Sequence, residues 1–148
     1  MENKETGIDT SFIPRILAFF CSWCSYTGSD GAGTARLKMP PTTTLIRTMC
    51  SGRIDPYFLI VAFFRGADGV WVSGCHPGDC HYNKGNYFTR RRYAFLTTMF
   101  DSLGLETKRL LLSWISASEG HKFQHMTTEF TNRIKELGPN KARTSVFL

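Results

Sequence analysis

The sequence predicts an α/β fold, a small doubly wound parallel sheet of about four strands, on three observations. Short apolar runs alternate with stretches of helical spacing. The runs are nearly continuously apolar, as strands are when crossover helices cover both faces of a parallel sheet. Three of them end in a cysteine-bearing segment, which puts reactive side chains where strands give way to loops, the usual place for chemistry in a wound sheet.

The elements follow in order. Residues 15–20 (RILAFF), after Pro14, form the first strand and end at Cys21. The stretch 26–39 holds Gly28, Gly31 and Gly33, so it is expected to carry only a short helix near residues 32–37, capped by Asp30. Its glycines are read as letting the backbone pass closely around the cysteines. Residues 44–49 (TLIRTM), after Pro40 and Pro41, form the second strand and end at Cys50. Asp55 then caps and Pro56 opens a buried helix over 57–64.

Residues 69–73 (GVWVS) form the third strand, left through Gly74-Cys75. Asn86 is expected to cap a helix over 87–103, where Phe88, Phe95, Leu96, Met99, Phe100 and Leu103 recur near helical spacing and Gly104 marks the stop. Residues 109–115 (RLLLSWI) form the fourth strand. Ser116 and Glu119 match a capping box ahead of a last helix whose Phe123, Met126, Phe130, Ile134 and Leu137 share one face before Gly138-Pro139. In the flavodoxin-like order 2-1-3-4, neighbouring strands about 4.8 Å apart would set Cys21, Cys50 and Cys75 across roughly 10 Å of the carboxyl edge.

Composition sets the limits. With 148 residues, 42% of them hydrophobic, the chain can bury one core, divided here as a polar N-terminal extension (1–13), one domain (14–139) and a C-terminal tail (140–148). No secretory signal is evident, and the longest apolar stretch, 57–64, is too short to span a bilayer, so a soluble cytoplasmic protein with no membrane role is expected. The net charge of +6 is spread along the chain apart from Arg90, Arg91 and Arg92, which suits an acidic protein partner as well as nucleic acid.

Five cysteines, an odd number in a compartment that keeps thiols reduced, argue against a disulfide framework and for metal or redox chemistry. Cys21-x-x-Cys24 and Cys75-x4-Cys80 each bring two sulfurs close, making a four-thiolate site that suits zinc or an iron-sulfur cluster; spacing does not separate the two. Adjacent residues diverge in extended chain, so His76 and His81 are read as hydrogen-bonding to a cluster sulfur or a partner and not as ligands. Trp23, Tyr26 and Tyr82 are candidates to shield the site. A zinc-stabilised binding module and a dithiol oxidoreductase are the competing classes.

The segments FCSWCSYTGSDGAG, IRTMCSGRIDP, GADGVWVSGCHPGDCHYNKGN and SWISASEGHKF, taken together, resemble the methyl-viologen-reducing hydrogenase delta subunit family from about residue 14 to 139. The resemblance implies a non-catalytic electron-transfer subunit with a 2Fe-2S cluster. It also implies a hetero-oligomer with no nucleic-acid partner. The partners would be a hydrogenase small subunit or formate dehydrogenase and the FAD-containing subunit of a heterodisulfide reductase, in complexes that perform electron bifurcation. All five cysteines, Cys21, Cys24, Cys50, Cys75 and Cys80, are candidate cluster ligands. Cys24, Cys75 and Cys80 are placed first, with Cys21 and Cys50 competing for the fourth position. Arg53, Lys84 and Arg90 to Arg92 are candidates to orient partners.

Overall fold

A computed structural model describes residues 11–142. Most of the N-terminal extension, and most of the tail with Phe147 and Leu148, lie outside the described residues. Four strands, β1 (Ile16–Cys21), β2 (Thr43–Thr48), β3 (Gly69–Gly74) and β4 (Leu110–Trp114), form an all-parallel sheet in the order β2-β1-β3-β4, as expected. Four helices connect and follow them: α1 (Ser25–Thr34), α2 (Pro56–Phe64), α3 (Gly85–Ser102) and α4 (Gly120–Leu137). Among the described residues no helix is long and apolar enough to cross a membrane.

Strand alternation builds two cores. Ile16, Ala18 and Phe20 of β1 and Trp71 of β3 meet Ala32 of α1 and Phe123, Phe130 and Ile134 of α4 on one face. Phe19, Val70, Val72 and Leu110 meet Leu59 and Phe63 of α2 and Leu96 and Phe100 of α3 on the other. β2 departs from the expectation of a fully covered strand, because as an edge strand it leaves alternate residues exposed.

α1 is a correction. It starts directly after Cys24 and is longer than the short helix expected near residues 32–37, so Asp30 lies inside it and not at its cap. Of its glycines Gly28 serves packing against the segment between β4 and α4: a Cβ there would meet the Ser116 carbonyl oxygen at 2.7 Å, whereas Gly33 has open space around it. Asn86 is likewise not a cap, since α3 begins one residue earlier, at Gly85. Asp55 does cap α2, accepting the Tyr57 N–H at 2.8 Å ahead of Pro56. Of the capping box before α4, only half forms: the Glu119 carboxylate accepts the Ser116 N–H at 2.7 Å, in the turn that precedes the helix.

The amino edge of the sheet is closed by Arg109, expected from the sequence at the start of the fourth strand. It occupies a 3-10 turn (Thr107–Arg109) before β4, and its side chain is 1% exposed. The guanidinium pairs with Glu106 at 2.6 Å and donates to the carbonyls of Asp68, Leu137, Gly138 and Pro139, so a buried charge is fully hydrogen-bonded. Asp68 in turn accepts the backbone N–H of Arg15 and of Asn140, both at 2.9 Å.

Candidate metal centre

Register carries the strand exits to one level. Cys21 pairs with Thr48 across β1 and β2, and Phe20 pairs with Ser73 across β1 and β3, so Cys50 and Cys75 follow just beyond Cys21 at the carboxyl edge. Cys24 sits immediately before α1, and Cys80 returns from the loop after β3. All five are free thiols, with Cys50 alone half-buried and the rest buried.

The structure keeps Cys21 with Cys24 and regroups the other thiols across strands. Cys21, Cys24 and Cys75 bring their sulfurs within 4.8 Å of one another, with Cys21 and Cys75 at 3.8 Å. Cys50 and Cys80 form a second group, also at 3.8 Å. The sequence pair Cys75-x4-Cys80 is thereby split between the groups. The groups adjoin, because the Met49 carbonyl and the Ser51 N–H, on either side of Cys50, both reach the Cys21 sulfur.

Polar groups beside the cysteines hold this arrangement. Ser25, buried at the start of α1, accepts the Cys21 N–H at 2.9 Å and donates to the Ser73 carbonyl at 2.9 Å, tying the exit of β1 to that of β3. Thr89 of α3 donates to the Ser51 hydroxyl at 2.9 Å. Gly85 lies against Cys50 and Cys80 so closely that a Cβ would collide with the Cys50 sulfur. Nothing in the sequence marks Ser25, Thr89 or Gly85 beyond their nearness to cysteines or a helix start.

The rings of His76 and His81 lie against neighbours in the chain itself. His76 Nε2 meets the Glu119 carboxylate at 2.6 Å, and the His81 ring stacks on Trp23 at 3.8 Å. Only the His81 backbone N–H turns to a sulfur, that of Cys75. Trp23 donates to the Tyr82 hydroxyl at 3.1 Å and lines a 250 Å³ cleft with Cys24, Cys75, His76 and His81, while the Tyr26 ring packs on the core under Arg47. Trp23 and Tyr82 therefore border the site, half-exposed, and Tyr26 does not. His121 and His125 are on the exposed side of α4.

The electrostatics favour one thiolate among three. The Cys24 thiol, and then the amides of Trp23 and Ser51, hydrogen-bond to Cys21 and hold its thiol down at about 5. Cys24 is raised because it donates to Cys21 and is buried. Burial also raises Cys75 and pushes Cys50 up to about 11. Five thiols so close cannot all ionise without a cation, the condition a metal relieves.

The donor set fits such a group. Two thiolates on one tetrahedral metal, with bonds of about 2.3 Å, stand about 3.8 Å apart, the separation found in both groups. The Methyl-viologen-reducing hydrogenase, delta subunit, family matches residues 16–138, a span that holds every one of these cysteines. The chain belongs to this family.

Relatives bear the same stamp. The chain is 52% identical over 126 residues to the vhc iron-sulfur subunit of the F420-non-reducing hydrogenase of Methanococcus voltae, covering 85% of this chain and 88% of that one. It is 48% identical over 128 residues to the iron-sulfur subunit of the F420-non-reducing hydrogenase of Archaeoglobus profundus, covering 86% and 93%. It is also 42% identical over 136 residues to a subunit of the ferredoxin/F(420)H(2)-dependent CoB-CoM heterodisulfide reductase of Methanosarcina acetivorans, covering 92% of this chain and 17% of that longer one. The likeness thus extends over most of two chains of similar length and over a small part of a much longer one.

Proposed function

We propose that this chain is the iron-sulfur electron-transfer subunit of a hydrogenase and heterodisulfide reductase assembly, carrying one 2Fe-2S cluster. It would receive electrons from a hydrogenase or formate dehydrogenase module and pass them to the FAD-containing subunit of an electron-bifurcating heterodisulfide reductase. The observation that carries the reading is the division of the thiols into two adjoining groups, each with a pair at 3.8 Å, in a chain whose relatives are named iron-sulfur subunits.

Cys50 and Cys80 would hold one iron, and Cys75 with either Cys21 or Cys24 the other. This assignment brings Cys50 forward from its competing place, since Cys80 otherwise has no thiol at that distance among the described residues. When bound, the cluster supplies one-electron exchange with no bond made to a substrate. The chain's own part is to aim thiolates, and the amides of Trp23, Ser51, Gly52 and His81 donate to sulfur and so stabilise negative charge there.

Exposed Trp23, Met49, Tyr82, Tyr87 and Phe88 surround this edge, and such a concentration of apolar surface suits a protein partner. Arg91 lies over Phe88 and is available to that partner, whereas Arg92 turns inward onto the Gly52 carbonyl at 2.6 Å. Anaerobic purification followed by iron and sulfide analysis tests the reading. About two iron and two sulfide per chain are expected. Zinc without sulfide would instead establish a structural module, and metal-free reversible thiol chemistry a dithiol oxidoreductase.

A further inference from the structure

The link between the two thiol groups runs through the first turn of α3. Gly85 touches Cys50 and Cys80, and the next residue, Asn86, reaches the other group: its Nδ2 donates to the Cys75 carbonyl at 3.0 Å and to the His76 carbonyl at 2.8 Å. His76 O also accepts the Asp79 N–H at 2.9 Å, so Asn86 anchors the turn that leads from Cys75 to Cys80. Asn86 is 1% exposed, and its Oδ1 is buried with no hydrogen-bond partner among the described residues. A buried acceptor left unpaired is costly, so an asparagine placed for stability alone would be better replaced by a residue without that oxygen.

We propose that Asn86 is a positioning residue for the metal centre, fixing Cys75 at its distance from the Cys50 and Cys80 pair. The inference rests on the reading that these thiols hold an iron-sulfur cluster. The side chain touches no sulfur that the structure records; it acts on the backbone that carries Cys75 and on the turn that brings Cys80 back. Outer partners of this kind tune metal affinity and potential by holding first ligands in place.

The test loads the full chain and Asn86→Ala with iron and sulfide side by side. Measured are the reduction potential, the EPR line shape of the reduced state, the rate of iron loss to a chelator, and thermal unfolding of the metal-free chains. The expected result is a shifted potential, an altered line shape and iron loss about tenfold faster, with the metal-free unfolding curve lowered only slightly, because removal of the unpaired oxygen offsets the donor taken from the Cys75 carbonyl, while the His76 carbonyl keeps the Asp79 N–H. A cluster in the native chain with potential, line shape and iron loss all unaltered in Asn86→Ala would overturn the inference. Failure of the native chain to take up a cluster would instead count against the function proposed above. If Asn86→Ala does not fold, Asn86→Ser keeps one donor and should show an intermediate shift. A folded Ser variant with native values, or a Ser variant that also fails to fold, would overturn it.

Discussion

The two edges of the sheet are built on opposite plans. At the amino edge Arg109, Asp68 and Asn140 lock strand starts to the end of α4 through hydrogen bonds that satisfy a buried charge. At the carboxyl edge five free thiols crowd together, the burial of the sulfurs works against ionisation, and the Asn86 Oδ1 has no partner among the described residues. The amino edge is complete in the chain itself. The carboxyl edge holds the crowded thiols to which the proposed cluster is assigned, and a bound cation would relieve their mutual repulsion.

Substitutions that separate the edges should sharpen this contrast. The largest effect on folding is expected from Arg109→Ala, which takes the donor from the buried Asp68 carbonyl and from three carbonyls at the end of α4 and empties a buried site. Urea unfolding of the metal-free chain should show a loss of about 4 kcal/mol, a large part of a typical domain's stability. A loss below about 1 kcal/mol would show that the amino edge is not the anchor of the fold.

Gly85→Ala should do the reverse. The added Cβ collides with the Cys50 sulfur, and that sulfur can escape by turning to another rotamer, so the fold survives while the thiol leaves its place. The metal-free chain should unfold within about 1 kcal/mol of the native one, yet hold less than about a tenth of its iron. Native iron content in this variant would mean that α3 does not bound the site.

The smallest effect concerns Glu119, at the junction of β4 and α4. The His76 hydrogen bond, then the Ser116 N–H, holds its carboxyl at about 2, below the ordinary 4.5. Between those values the unfolded chain binds more protons than the native one, so the stability Glu119 contributes is complete above about pH 4.5 and is lost as pH falls through about 2. Metal-free Glu119→Gln should lack this portion of the acid dependence in pH-stepped unfolding. The carboxyl is one-third exposed, and solvent screening keeps the difference small.

Much of the fold is legible in the chain, for reasons that also explain what is not. Near-continuous apolar runs between helical stretches admit few topologies, because parallel crossovers are right-handed and unknotted, and the flavodoxin-like order 2-1-3-4 is one of that small set. Three glycines argue against a helix after Cys24, yet Gly28 is there because α1 approaches the Ser116 backbone, a contact made only in the finished fold. Cysteines close in the chain read as pairs, but the sheet pairs residues across strands, which puts Cys75 beside Cys21 and sends Cys80 to Cys50. Asn86 reads as a cap because asparagine favours helix starts, while its side chain is spent on two loop carbonyls. Local chemistry is readable from spacing; the partners a folded chain brings from afar are not.

Whether thiols from both groups hold one 2Fe-2S cluster is measured most directly by the EPR spectrum of the reduced chain across the five single Cys→Ser variants. Cys50→Ser, Cys75→Ser and Cys80→Ser should each lose or change the native signal, and one of Cys21→Ser and Cys24→Ser should keep it. A native spectrum in Cys50→Ser or Cys80→Ser would contradict the shared cluster, because the second group would then hold no part of it.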